Sequence, residues 1–103
     1  MPSAARLADI CTGHGSYGSR PNISGSPDVF INNLPAHRTG DAWMTHNGPR
    51  GPHGGVQATG SPTVFVNGRP LARVGDLVSC GSIVATGSGN VFCDELGCTP
   101  PTP

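Results

Sequence analysis

Four histidines and four cysteines are the residues of this 103-residue sequence best suited to chemistry. Imidazole nitrogens and a thiolate sulfur are metal donors, and three of the former with one of the latter suit a tetrahedral Zn²⁺ ion. Three candidates follow an Arg-x-x-Asp segment at nearly the same distance. His14 lies five residues after Asp9, His46 five after Asp41, and Cys80 four after Asp76. His53 lies in the Gly/Pro-rich stretch Asn47–Gly55, read as a flexible loop that can bring in a fourth donor. Four protein ligands leave no open position, so the expected site is a structural zinc, one per chain, that substitutes for missing core. Cys11 is the rival ligand, because Cys11-x-x-His14 places two donors close together. His37, between Ala36 and Arg38, is left out and expected at the surface. Cys93 and Cys98 could close a disulfide over a short loop. With no secretion signal, reduced thiols are the expectation.

Each aspartate in this ruler follows an arginine by three residues. The pairs are Arg6 with Asp9, Arg38 with Asp41 and Arg73 with Asp76. Their recurrence points to bidentate clasps that brace the turn feeding each ligand. Trp43 and Met44, just before His46, are expected to pack around the site.

A repeat must position these groups. Gly25–Asp41 aligns without gaps on Gly60–Asp76, with ten of seventeen positions identical and an offset of 35. A third copy is split: Gly87–Phe92 repeats the first half, and Ala4–Asp9 repeats the second. Each full unit reads as a β-hairpin. Val64-Phe65-Val66 is β-rich, Asn67-Gly68 is a strong two-residue turn signal, and Leu71–Val74 is the expected return strand. Asn32-Asn33 serves at the same turn in the first unit. Pro35 and Pro70 cannot donate to a ladder, so each belongs at a strand start or edge. The N-terminal half-unit is expected to pair with Val91–Cys93 and close a ring of three hairpins. The fold class is therefore all-β, a small body of three pseudo-threefold β-hairpin repeats. The repeats cover about 25–46, 60–80, and 87–96 with 2–14, within one domain over 1–98.

Composition narrows the function. Val, Ile, Leu and Phe supply only 20 of 103 residues, whereas Gly and Pro number 16 and 11. A core this lean usually needs a staple. No apolar run has transmembrane or signal-peptide length, so no stable membrane insertion is expected. Six basic residues balance six acidic ones and aromatics are few, which argues against nucleic acid as a partner. The Pro-rich segment 99–103 reads as a flexible tail.

The segments Pro35-Ala-His-Arg38 and Pro70-Leu-Ala-Arg73, each followed by x-Gly-Asp, resemble the Pro-Ala-Ala-Arg (PAAR) repeat proteins. Ala4-Ala5-Arg6 is a degenerate third copy with Ser3 in place of the proline, and the resemblance covers about residues 2–93. It implies a small cone with zinc near the apex, held by three histidines and a cysteine, here His14, His46, His53 and Cys80. It also implies a role as the spike tip of a type VI secretion system or a contractile phage tail. The cone's base would dock on the blunt end of a trimeric β-helical (VgrG-like or phage) spike, one chain per trimer, to sharpen it for membrane puncture. An apolar base bearing Val, Phe and Ile is expected there. No long toxic extension follows Cys98, so any effector protein would ride non-covalently. The implied location is the producing cell's cytoplasm, then the assembled tip, or a phage virion tail. Two other readings compete: an adaptor module that docks elsewhere, and a small zinc hydrolase. The hydrolase would need an open coordination site and a free general base, whereas the three nearby aspartates each have an arginine partner in sequence.

Overall fold

The structure is a computed structural model, in which residues 2–94 and 97–99 are described. Among the described residues it is all β, with four antiparallel two-stranded sheets and no helix. β1 (Phe30–Ile31) pairs with β2 (Leu34–Pro35), and β5 (Phe65–Val66) pairs with β6 (Arg69–Pro70). Asn32 and Asn33 turn the first hairpin with φ of 54° and 65°, and Asn67 and Gly68 turn the second with 54° and 78°. Positive φ at both central positions is the type I′ geometry, whose twist matches the flanking strands. The prolines close each hairpin opposite Phe30 and Phe65, where no N–H is required of them. The return strand is thus Arg69–Pro70 rather than Leu71–Val74. Beyond Pro70 the chain leaves its own hairpin for the neighbouring repeat.

The third unit is completed by the two ends of the chain. β7 (Phe92–Asp94) pairs with β8 (Gly97–Thr99). Phe92 also bridges Ser3, in the register that sets Phe30 against Pro35 and Phe65 against Pro70. The Ala4 amide donates to Val91 O at 3.0 Å, as Ala36 does to Val29 and Leu71 to Val64, both at 2.9 Å. Thr99, assigned to the tail in the sequence reading, lies in β8 opposite Phe92; residues 100–103 lie outside the described residues.

Three hydrogen bonds then close on themselves. Ala5 N–H donates to Ala72 O (2.9 Å), Ala72 N–H to His37 O (2.9 Å), and His37 N–H to Ala5 O (3.1 Å). Around this cycle Ala4 bridges Arg73, Ala36 bridges Arg6, and Leu71 bridges Arg38. One chain therefore builds a threefold ring from three similar segments. His37 corrects the sequence reading, since it is fully buried rather than at the surface. It aligns with Ala5 and Ala72, so it must occupy the ring. Its Nδ1 donates to Ser24 O at 2.8 Å and its ring meets Trp43 edge-on at 5.2 Å, while Nε2 has no hydrogen-bond partner. Burial pushes its pKa down, against the upward pull of the Ser24 carbonyl, and so holds the ring neutral.

The core forms in layers that follow the repeat. Ala4, Ile31, Ala36, Val66, Leu71 and Cys93 pack together at the hairpins. Ala5, Cys11, Trp43, Ala72, Val78 and Val84 form the next layer. Strand alternation turns Ile31 and Val66 inward and leaves Phe30 and Phe65 each 56% exposed. The apolar hairpin surface is thus made of Phe, Val29 and Leu34, with Ile31 belonging to the interior. Cys93 is disulfide-bonded, contrary to the expectation of a reduced thiol. The β7–β8 ladder sets Cys98 opposite it in register. Cys11 and Cys80 are free thiols.

One glycine position recurs under the same constraint. A Cβ at Gly60 would lie 2.7 Å from Leu71 O, at Gly25 2.8 Å from Ala36 O, and at Gly87 2.7 Å from Ala4 O. These carbonyls accept the ring-stitching amides of Ser61, Ser26 and Ser88, so they cannot retreat freely. Gly60→Ala is expected to lower stability by about 1–3 kcal/mol, as overpacking does. A denaturant midpoint equal to the parent's would contradict that close approach.

Candidate metal centre

β3 (Ala42–His46) ends on His46 and β4 (His53–Val56) begins on His53, and the two histidines face each other in register. His53 is therefore a strand residue rather than a loop residue. A register shift between Trp43 and His46 re-aims the end of β3, as bulges do. His14 is set by a tight turn in which it exchanges backbone hydrogen bonds with Tyr17, at 2.9 and 2.8 Å. Cys80 sits in a turn closed by Gly81 N–H to Val78 O, with Gly81 at φ 103°.

These turns bring the four side chains together. Nε2 of His53 lies 3.0 Å from Nε2 of His14 and 2.8 Å from Nε2 of His46. The ligand atoms of His14, His46, His53 and Cys80 all lie within 4.8 Å of one another. Three ring nitrogens this close cannot all carry protons, and their lone pairs repel unless a cation stands among them. Tetrahedral Zn–N and Zn–S bonds imply donor separations of about 3.3–3.6 Å, a value within the observed spread. The group can hold a metal ion.

The surroundings of the donors favour a metal. Nδ1 of His46 donates to Gly18 O at 2.8 Å, which turns Nε2 toward the cluster. Burial pushes the His53 pKa down, and the neighbouring His46 and His14 add to the shift. Burial pushes the Cys80 thiol up, but hydrogen bonds from Ser82 and Arg20 outweigh it and hold the pKa below its usual value. Both shifts favour the deprotonated donors that a metal requires.

Cys11 is not among the four converging groups; its Sγ accepts from Nη1 of Arg20 at 3.0 Å. Trp43 packs in the core beneath, with Nε1 donating to Gln57 Oε1, whereas Met44 is exposed. The three Arg/Asp pairs are bidentate. Nε and Nη2 reach the two carboxylate oxygens at 3.0 and 3.2 Å for Arg6–Asp9, 2.9 and 2.9 Å for Arg38–Asp41, and 3.1 and 3.2 Å for Arg73–Asp76. In each, the arginine's own amide donates to the same carboxylate, so the clasp also closes the turn.

Two residues at the site carry no signal in the repeat. The Tyr17 ring stacks on His14 at 4.9 Å and packs at a tilt against His53 at 4.3 Å. Its hydroxyl donates to Gly51 O at 2.9 Å and accepts from Arg50 N–H at 3.2 Å, which pins the loop leading to His53. Arg20 reaches both free thiols from below. Both lie between His14 and the first full repeat, and their side chains are not repeated: Arg20 falls at the place of Gly55 and Ser82 in the other units.

A family model described as the PAAR motif matches residues 47–98, about half of the chain. The matched region contains His53, Cys80 and the whole of the second hairpin. Comparison with curated proteins found no match.

Proposed function

This chain belongs to the PAAR-motif family, and on that footing we propose that it is the structural tip of a contractile injection machine. It caps the blunt end of a trimeric β-helical spike, one chain per trimer, and sharpens that end for membrane puncture. The observation that carries this reading is the closed cycle Ala5–Ala72–His37, by which one chain presents three similar hairpins about one axis. A trimeric β-helix ends in three open strand edges, and three hairpins can pair with all of them. Phe30 and Phe65, exposed at equivalent places, supply the apolar anchors.

The metal is zinc, and its role is structural. His14, His46, His53 and Cys80 would hold it, and it would supply the bonds that tie the converging turns together. Asp9, Asp41 and Asp76, the acidic groups nearest in sequence to the ligands, are each engaged by an arginine, so none stands ready as a general base. The tip assembles in the cytoplasm of the producing cell, or on a phage tail, and carries effectors non-covalently.

Co-purification with a trimeric β-helical spike fragment tests this reading. The parent chain is expected to bind. The double variant Phe30→Asp with Phe65→Asp is expected to lose binding at least about 100-fold, as loss of apolar anchors does. Both side chains are largely exposed, so its melting temperature should stay near the parent's. Failure of the parent to bind, or full binding by the double variant, would contradict the reading.

A further inference from the structure

Arg20 is 4% exposed, yet among the described residues it has no carboxylate partner. A buried guanidinium without an anion is strongly disfavoured. Its donors are nevertheless all aimed. Nε donates to Met44 O at 2.7 Å, next to the strand end that carries His46. Nη1 donates to Cys11 Sγ at 3.0 Å and to Ser82 Oγ at 3.4 Å. Nη2 donates to Cys80 Sγ at 3.4 Å. The guanidinium lies over the Trp43 ring, 5.4 Å from its centroid, which fixes the plane of the fork. The side chain thus touches two thiols at once, one inside the ligand group and one outside it.

We propose that Arg20 is the positioning residue of the metal centre, sorting the two thiols. One arm of its fork directs Cys80 Sγ to the metal, and the other holds Cys11 Sγ aside. The planar fork is what this requires, because a guanidinium presents donors in fixed directions whereas an ammonium is a single point. The bond to Met44 O ties the same group to the β3 backbone, so the direction of Cys80 and the seating of His46 are set together. This also accounts for the exclusion of Cys11, whose spacing from His14 makes it a plausible ligand in sequence. The inference rests on the metal-centre reading above.

The test uses the full chain loaded with Zn²⁺ or Co²⁺, with Arg20→Met and Arg20→Lys as variants. Zinc affinity is read by competition with a chromophoric chelator. Cobalt loading reports the sulfur-to-metal charge-transfer band, which a merely structural role of Arg20 would leave in place. Arg20→Met is expected to weaken zinc binding by about 10–100-fold, the usual scale for an outer-shell partner. Its charge-transfer band is expected to shift to longer wavelength, because the thiolate loses a hydrogen-bond donor. Arg20→Lys keeps the charge without the fork and is expected to recover only part of both. Should Arg20→Met fail to fold, the lysine variant decides alone. Affinity within twofold of the parent and an unmoved band in a folded variant would overturn the proposal. A parent chain that binds neither metal would instead overturn the metal centre itself, and the two failures are told apart by the parent's own titration.

Discussion

Cys80→Ala is expected to lower stability by at least about 3 kcal/mol, or roughly 12–24 °C in melting temperature for a domain of this size. The cause is coupling between metal binding and folding. The four donors come from four separate stretches: the His14 turn, the end of β3, the start of β4 and the Cys80 turn. In the unfolded chain they are far apart, so binding free energy at the assembled site becomes folding free energy. Removing the thiolate leaves three crowded imidazole nitrogens with a weaker hold on the ion. Adding a strong chelator to the parent should produce a shift of the same sign. His37→Ala provides a contrast. It should destabilise through a cavity at the ring, yet leave one metal per chain, because His37 lies outside the ligand group. A melting curve for Cys80→Ala that overlays the parent's would sink the four-ligand centre.

Arg38→Ala is expected to cost about 3 kcal/mol near neutral pH, as loss of one partner of a buried ion pair does. This is the most enclosed of the three clasps, with both side chains almost fully covered. Burial pushes the Asp41 carboxyl up, but the Arg38 guanidinium and backbone amide outweigh it and hold its pKa below the ordinary carboxylate value. A depressed folded-state pKa means that the clasp's stability is fully present above the unfolded value, near 4. It is lost as pH falls through the folded value. The difference in stability between parent and variant should therefore narrow as pH falls below about 4, where Asp41 takes up its proton. Urea titrations of both chains at pH 7 and at pH 3 read this directly. A difference that stays constant between them would mean that Arg38 acts through packing alone.

The repeat made much of this architecture legible. Asn67-Gly68 and Asn32-Asn33 mark the two-residue turns because few other pairs tolerate positive φ twice in succession. The shared spacing from Asp9, Asp41 and Asp76 singles out His14, His46 and Cys80, since residues at equivalent places in a threefold body converge. The same logic was available for His37 but competed with chemistry. A titratable side chain reads as exposed, whereas its alignment with Ala5 and Ala72 places it on the ring. His53 looked like a loop residue because glycine and proline surround it. The cross-strand partner that orders it, His46, belongs to the preceding strand, and the turn between them has no strand propensity of its own. Tyr17 and Arg20 were invisible for a different reason. They lie outside the aligned segments and their side chains are not repeated in the other units, so no internal comparison marks them, and their roles depend on contacts that reach up to 62 positions away. The return strand misled because Leu71–Val74 has the right composition but pairs with a neighbouring repeat.

One pseudo-threefold chain capping a threefold spike fixes the stoichiometry of its complex with a trimeric β-helical fragment, and native mass spectrometry reads that ratio. The expected species is three spike chains with one copy of this chain and one zinc. Three copies per trimer, or a mixture with no defined ratio, would contradict the account, because each hairpin would then be docking without the symmetry that the closed ring provides.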